Sequence, residues 1–187
     1  MVARAVQING HRIALRELTR DDWPDIHAYA SLPEVCRFQA WGPNTPDESR
    51  VFVERAIASA DEEPRSRFAL AVLLANTTRA IGMGELSVRD AGFRTGEIAY
   101  VLHPEYWGRG LATEVAQFLL RFGFREMHLH RIFATCDPRN LASARVLKKI
   151  GMLYEGRMRE VMLIRDGWRD SALYAVLEDE WGVGQAV

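Results

Sequence analysis

Cysteine is scarce in this chain, and long hydrophobic runs are missing from it. The two cysteines, Cys36 and Cys136, are too few for the framework of a disulfide-stabilised secreted domain. Both lie in apolar segments, so we expect buried free thiols. Nowhere do about eighteen apolar residues follow one another, and residues 1–10 contain no apolar segment of signal-peptide length. We therefore expect the protein to remain in the cytoplasm.

A surplus of charge of either sign is missing as well. The formal net charge is -1, which does not suggest a protein dedicated to nucleic acids or to a membrane surface. Apolar residues, in contrast, are plentiful. They make up 48% of the 187 residues, enough for the core of one ordinary α/β domain. We predict a single domain over residues 1–187.

The hydrophobic pattern predicts a mixture of strands and helices. A period-two segment predicts a strand over residues 12–18, and short apolar segments predict strands over 68–75, 81–88, 97–102 and 131–136. A last hairpin, 152–164 with 171–177, is predicted around the turn Asp166-Gly167. Helical spacing predicts helices from Trp23 to Pro33, around 34–38, from the capping box Thr45-Pro46-Asp47-Glu48 to about Ala60, over 111–125 and over 140–150.

A glycine-rich loop separates the strand at 97–102 from the amphipathic helix that follows. Gly108 and Gly110 would let a phosphate approach main-chain N–H groups at the start of that helix. A Walker loop would end in Gly-Lys-Ser/Thr, and a dinucleotide loop would have a small residue where Thr113 stands. Neither motif fits, which argues against a nucleotide-dependent phosphotransferase. The loop is either an anion site or simply a tight turn.

The same loop resembles the acetyl-CoA-binding motif of the GNAT superfamily, Gln/Arg-x-x-Gly-x-Gly/Ala. Gly110 and Ala112 fill the two small positions, and Trp107 stands in place of Gln or Arg. That departure, followed by Ala-Thr-Glu, is similar to the RimJ and RimL type of N-terminal acetyltransferase. Further segments that resemble the superfamily are Leu15-Arg16-Glu17-Leu18, Pro33-Glu34-Val35, Asn140-x-x-Ser143 and Gly151-Met152. The resemblance therefore covers nearly the whole chain.

The resemblance implies an α/β fold with a mixed, mostly antiparallel central sheet, flanked by helices and splayed between the family's fourth and fifth strands, here 97–102 and 131–136. Pantetheine would pair with the main chain at Tyr100, Val101 and Leu102, and an amide near Leu102 would stabilise the oxyanion. Asn140 would bind the pantetheine arm, although a plain helix cap explains it too. The residues expected to hold the pyrophosphate are Trp107, Gly108, Arg109, Gly110, Leu111, Ala112 and Thr113.

Acetyl transfer also requires a group that takes a proton from the amine. A lysine amine has a pKa of about 10.4 and an α-amine a pKa of about 8, so both are largely protonated at neutral pH. The resemblance makes Glu97 the candidate general base, with a solvated strand-end carboxylate as the alternative. Glu160 and Asp170 are the reserve candidates. His103, which precedes a proline, is interpreted as a structural turn residue.

The thiolate that leaves is a second place for proton transfer. Many superfamily members have a tyrosine where this chain has Leu147, so the usual acid is missing. Ser143 is the candidate acid, and the alternative is a small residue that lets the helix approach the donor. His128 and His130 have no third ligand at a useful spacing, so we expect no metal.

The sequence thus predicts an acetyl-CoA-dependent N-acetyltransferase that acts on a primary amine. The acceptor stays open between a protein N-terminal α-amine and a small molecule such as an antibiotic or a polyamine. The loop 41–44 is either an acceptor contact or a simple Gly-Pro turn. A non-catalytic acyl-CoA-binding module is the alternative from another class, favoured by Leu147 and opposed by Glu97, Asn140 and Ser143. No residue argues for or against a homodimer.

Overall fold

The computed structural model describes residues 6–183. They form a single mixed α/β domain, built on one sheet of eight strands. The ends of the predicted domain, residues 1–5 and 184–187, lie outside the described residues. The strands are β1 (Gln7–Asn9), β2 (Ile13–Glu17), β3 (Arg67–Leu74), β4 (Ala80–Asp90), β5 (Thr95–Leu102), β6 (Arg131–Cys136), β7 (Leu153–Ile164) and β8 (Gly167–Leu177).

Six α-helices of the described part of the chain flank the sheet. They are α1 (Trp23–Ala30), α2 (Pro33–Cys36), α3 (Pro46–Ala60), α4 (Leu111–Arg125), α5 (Leu141–Lys149) and α6 (Glu178–Val183), and single 3-10 turns precede α1 and follow β5. The capping box predicted for α3 is confirmed, because Thr45 accepts a hydrogen bond from the Glu48 amide and the Glu48 carboxylate accepts one from Thr45 N at 2.7 Å. No helix within residues 6–183 is long and apolar enough to cross a membrane.

The sheet is mostly antiparallel, as the family resemblance implies. Its strand order is β1-β2-β3-β4-β5-β6-β8-β7, and within residues 6–183 only β5 and β6 form a parallel neighbouring pair. A parallel pair requires a crossover, and α4 supplies it. Because the short β1 precedes the strands predicted at 12–18 and beyond, the family's fourth and fifth strands are β5 and β6 here.

The strands β5 and β6 separate after three paired residues. The pairing runs from Thr95 with Arg131 to Glu97 with Phe133. Beyond that point β5 stays with β4 as far as Leu102, and β6 stays with β8 as far as Cys136. The predicted splay is therefore confirmed. At about 3.3 Å per residue, the β5 side of this wedge is roughly 17 Å long.

Two apolar cores lie on opposite faces of the sheet. In the first core, α4 and α5 pack against one face of the sheet, because the buried residues of α4 recur at helical spacing and form an apolar stripe. The members of this core include Leu15, Leu70, Ile98, Val115, Leu119 and Leu147. The second packs α1 and α3 against the other face around Tyr29, Val53 and Ala71. Side chains on β5 alternate between these faces, so one strand can serve both sides of the wedge.

The cysteines lie where the sequence places them, and two short elements escape prediction. Cys36 and Cys136 are both buried and free, as expected.

The three-residue β1 is too short to show a period, and α6 begins directly after β8 without a turn signal. The helix predicted around 34–38 covers Pro33–Cys36 instead, because Pro33 can occupy the first turn of a helix.

Candidate active site

The glycine loop lies at the wide end of the wedge, between β5 and α4. Gly108 and Gly110 have φ of +72° and +77°, a left-handed conformation that side chains with a Cβ rarely adopt. A Cβ placed on Gly108 would meet no atom within 4 Å, so the loop faces open space. The Thr113 and Glu114 amides donate the first main-chain hydrogen bonds of α4, both to the Gly110 carbonyl oxygen, at 3.1 and 3.2 Å, so the Leu111 and Ala112 amides precede this ladder. The loop is therefore built as the predicted anion site would be.

Trp107 ties this loop to the end of β5. Its indole Nε1 donates a 2.7 Å hydrogen bond to the carbonyl oxygen of Leu102, while about half of the side chain stays exposed. The tryptophan that departs from the family pattern thus has a structural task. It fixes the start of the loop relative to the strand edge along which a ligand would run.

Arg12, just before β2, holds the other end of the loop. Its Nη1 donates to the carbonyl oxygen of Arg109 at 3.1 Å. Its Nε and Nη2 both lie 2.8 Å from one carboxylate oxygen of Glu114, which belongs to the first turn of α4. The guanidinium also borders Gly110, since a Cβ built there would lie 3.7 Å from its Nη2.

Tyr100 reaches across the wedge from β5 to α5. Its hydroxyl lies 3.1 Å from Oγ of Ser143 and 3.4 Å from the Ser143 carbonyl oxygen. Burial raises the pKa of Tyr100 well above its usual value, so its phenol stays protonated. Burial also raises the pKa of the nearby Cys136 thiol. The predicted acid Ser143 therefore belongs to a neutral, protonated cluster inside the wedge.

Asn140 directly precedes α5, and Leu147 lies on this helix. The side-chain oxygen of Asn140 accepts a 3.1 Å hydrogen bond from the amide of Ser143, so this residue caps α5. Leu147 is 1% exposed and packs in the first core. The position of the usual family tyrosine is thus apolar and buried here.

Glu97 lies at the closed end of the wedge, in the last residue pair before β5 and β6 separate. Residue alternation places it on the same face as Val101, which packs against the second core with α1 and α3. Its carboxylate accepts a 2.7 Å hydrogen bond from Arg89 Nε. Ala99, two residues after Glu97 on β5, lies opposite Glu85 of the neighbouring strand β4.

Glu85 is a carboxylate that the sequence patterns do not single out. It accepts hydrogen bonds from Arg67 at 2.8 Å and from the Ser87 hydroxyl at 3.0 Å. Its side chain is 19% exposed, and it shares the sheet face of Glu97. The α1/α3 side of the wedge therefore presents two carboxylates, each oriented by an arginine.

The reserve carboxylates belong to the β7–β8 hairpin. Glu160 has φ of +50° within an irregular stretch of β7, and its amide donates a 2.8 Å hydrogen bond to Asp170. Together with the neighbouring Arg157, that hydrogen bond lowers the pKa of Asp170. Both residues thus stabilise a bulge of the hairpin. His103 acts as a turn residue, because its ring nitrogen accepts a hydrogen bond from the Glu105 amide.

The loop that follows α2 is attached to the β7–β8 turn by Arg165. Its guanidinium donates to the carbonyl oxygens of Cys36 at 2.6 Å and of Trp41 at 3.1 Å, and also to that of Gly42. The Arg139 guanidinium, at the mouth of the wedge, lies 5.6 Å from the centre of the Phe38 ring in this loop. Residues 36–42 are therefore held close to the end of β6.

Besides Glu85, three side chains of the site escape sequence reasoning, namely Arg12, the phenol of Tyr100 and Arg165. Their partners are 102, 43 and up to 129 residues away in the chain. For Tyr100 a weak signal exists, since an aromatic residue with a polar tip stands on the strand predicted to bind pantetheine. For the two arginines only the folded arrangement reveals the contact.

Parallel strands that separate ahead of a glycine loop and a helix start define the acetyltransferase class of α/β proteins. The sequence matches the family described as Acetyltransferase (GNAT) domain over residues 12–153, and the chain belongs to that family. It is an N-acetyltransferase by family, which confirms the resemblance seen in the glycine loop.

Individual relatives agree with this assignment. The chain is 35% identical over 176 residues to the "Uncharacterized N-acetyltransferase YnaD" of Bacillus subtilis, covering 94% of this chain and 99% of the relative. It is 31% identical over 106 residues to the [Ribosomal protein uS5]-alanine N-acetyltransferase of Escherichia coli, covering 56% and 55%.

Solved structures show the same fold. A GNAT-family acetyltransferase from Bacillus anthracis superposes with a TM-score of 0.82 at 33% identity, over 93% of this chain and 99% of that one. Spermidine N-acetyltransferase from Vibrio cholerae, solved in complex with CoA and spermine, superposes with a TM-score of 0.77 at 22% identity, over 90% and 97%. The second likeness concerns the fold alone.

Proposed function

We propose that this protein transfers the acetyl group of acetyl-CoA to a primary amine, in the cytoplasm, with a protein N-terminal α-amine as the preferred acceptor. The observation that carries the proposal is the wedge between β5 and β6, with the glycine loop at its wide end and Glu97 at its closed end. An elongated donor with phosphates at one end and a thioester at the other matches this arrangement.

The loop residues would bind the pyrophosphate of the donor. The open space beside Gly108 supplies room, and the Leu111 and Ala112 amides, which precede the hydrogen-bond ladder of α4, supply hydrogen-bond donors. The β5 edge from Tyr100 to Leu102, which has left β6, would pair with the pantetheine arm. Asn140 uses its oxygen as the helix cap, so its amide nitrogen would donate to that arm.

Glu97 would take the proton from the acceptor amine. It lies where the wedge closes, on the sheet face that α1 and α3 cover, and Arg89 orients its carboxylate. A carboxylate that accepts the proton directly or through a water leaves the amine nitrogen with a free electron pair to attack the thioester carbon.

Ser143 would give a hydrogen bond, and then a proton, to the thiolate that leaves. The Tyr100 phenol, which burial keeps protonated, lies within hydrogen-bond distance of the serine hydroxyl and would orient it. In this assignment Ser143 takes the role of the acid that a tyrosine has in many family members. Leu147, which stands at the position of that tyrosine, is buried in the core and takes no part. The acceptor enters as an ammonium ion and loses two protons, one to Glu97 before attack and one from the tetrahedral intermediate. One of these replaces, through solvent, the proton that Ser143 gives to the thiolate, and the other is released, so the products are the amide, the CoA thiol and one proton.

The charges near the wedge favour an acceptor with one amine over a polyamine. Three carboxylates there are already paired with arginines: Glu97 with Arg89, Glu85 with Arg67, and Asp137 with Arg139. A polyamine carries several positive charges, and arginines beside its binding path would repel them. An α-amine also has a pKa near 8, about two units below that of a lysine, and so demands less of the base.

A thiol-release assay tests this proposal. Purified protein is mixed with acetyl-CoA and a panel of acceptors: peptides with a free N-terminal alanine or serine, the same peptides with a blocked N-terminus and one lysine, spermidine, and an aminoglycoside. We expect release of CoA only with free N-termini. Faster release with spermidine would overturn the acceptor assignment. A melting temperature unchanged by millimolar CoA would overturn donor binding itself, because a ligand that binds only the folded state must stabilise it.

A further inference from the structure

The contact between Arg12 and Glu114 lies at the place where the donor's phosphates would bind. Glu114 stands in the first turn of α4, four residues after Gly110, and its carboxylate is 16% exposed. A carboxylate there normally stabilises a helix start. An incoming pyrophosphate, however, would occupy the same positive end of the helix and would repel a bare carboxylate.

Arg12 removes that conflict. Two of its nitrogens lie 2.8 Å from the same Glu114 oxygen, so one positive charge faces the negative one directly. The third nitrogen holds the Arg109 carbonyl oxygen, and the guanidinium borders Gly110. Arg12 thus neutralises the acidic first turn and holds the loop between its two glycines.

We propose that Arg12 is a positioning residue for the donor, whose main task is to cancel the charge of Glu114 so that the loop accepts a pyrophosphate. The inference rests on the proposed binding of acetyl-CoA. Arg12, in the segment before β2, would then contribute to donor affinity, although it precedes the glycine loop by 95 residues. Arg12 acts through Glu114 and through the loop, and no direct contact with the acetyl group is implied.

Calorimetric titration with CoA on four proteins tests the inference: wild type, Arg12→Gln, Glu114→Gln and the double variant. We expect Arg12→Gln to weaken CoA binding about tenfold, which corresponds to ~1.4 kcal/mol. Glu114→Gln should bind at least as tightly as wild type. The double variant should return to within about threefold of wild type, because the uncompensated charge has gone. A purely structural loss of the ion pair would not be rescued in this way.

A matched control separates the loop from general effects of losing a surface ion pair. Arg20 pairs with Glu54 at 3.0 Å, and both side chains are more than half exposed. Arg20→Gln should leave the dissociation constant of CoA unchanged, and melting temperatures show whether each variant is folded.

Two results would overturn the inference: CoA binding by Arg12→Gln equal to that of wild type, or a double variant that binds no better than Arg12→Gln. A wild-type protein that fails to bind CoA would instead refute the proposed function, so the two failures are distinguishable.

Discussion

The Tyr100 hydroxyl and the Ser143 hydroxyl lie 3.1 Å apart, one on β5 and the other on α5, on opposite sides of the wedge. At this point β5 is still paired with β4 but no longer with β6. The two side chains therefore form a bridge across a gap that no main-chain hydrogen bonds span. Either oxygen can donate the hydrogen bond. A ligand that enters the wedge must therefore pass or replace this contact.

Removing the two hydroxyl groups should lower turnover without unfolding the protein. We expect Ser143→Ala to reduce kcat about tenfold. This loss is smaller than the contribution of a typical general acid, because a thiolate leaves readily without help. Tyr100→Phe should cost less, and the double variant should be no worse than Ser143→Ala, because the tyrosine acts through the serine. Steady-state rates for the three variants test this, with Tyr154→Phe, an exposed tyrosine of β7, as the control. Additive losses would show that the two hydroxyls work independently.

Glu97→Gln should lower turnover while it leaves CoA affinity nearly intact. Glutamine keeps the size of the side chain but does not accept the proton, and losing a general base typically costs about 10²- to 10⁴-fold. The loss should be greatest at neutral pH, where the amine is mostly protonated, and a higher pH should partly restore the rate. The measurement is kcat against pH for both proteins, with a CoA dissociation constant for each.

The control for this variant is Glu54→Gln, which removes another arginine-paired carboxylate from the exposed surface of α3. Matching rates and pH profiles for wild type and Glu97→Gln would show that Glu97 is only a structural carboxylate. Glu85, which faces the same side of the sheet, would then be tested before Glu160 and Asp170.

Charge at Gly110 should matter more than the presence of a side chain there. Asn and Asp both tolerate the left-handed conformation that this position requires, so Gly110→Asn and Gly110→Asp should have similar melting temperatures. Only Asp brings a negative charge to the phosphate path. We expect its CoA dissociation constant to exceed that of the Asn variant at least tenfold, as measured by calorimetry. Equal constants would contradict the loop assignment.

The indole hydrogen bond of Trp107 should contribute to donor affinity rather than to stability. Trp107→Phe keeps an aromatic ring and removes the donor to the Leu102 carbonyl oxygen. A hydrogen bond of this kind contributes about 0.5–1.5 kcal/mol, so we expect CoA binding to weaken about two- to tenfold. The comparable exposed tryptophan, Trp168→Phe on β8, should leave CoA affinity unchanged. A loss of melting temperature without a loss of affinity would contradict this role.

The donor side of the site could be predicted from sequence because its signals are local. The strand, the two glycines and the apolar stripe of α4 lie within residues 95–125, where period, turn chemistry and helix start can each be seen in a short window. The splay between β5 and β6 followed from the family resemblance, and β6 matches its predicted limits.

The acceptor side could not be predicted in the same way, because its contacts join distant segments. Glu85 becomes relevant only when register places it beside Ala99, and Arg67 can orient it only once β3 pairs with β4. Whether Asn140 serves as a cap or as a ligand was also open, since both uses need the same side chain at the same helix start. The fold shows that the side-chain oxygen of Asn140 forms the cap, and its amide nitrogen takes no part in it.

Arg165 fixes the main-chain position of residues 36–42, whatever side chains these residues carry. The three groups that it holds are main-chain carbonyl oxygens, which every amino acid provides. Replacing Phe38 or Trp41 therefore changes the surface of the loop but not its attachment to the hairpin. In evolutionary terms, a lineage can exchange the amino acids of this segment one at a time while the segment keeps its place close to the end of β6.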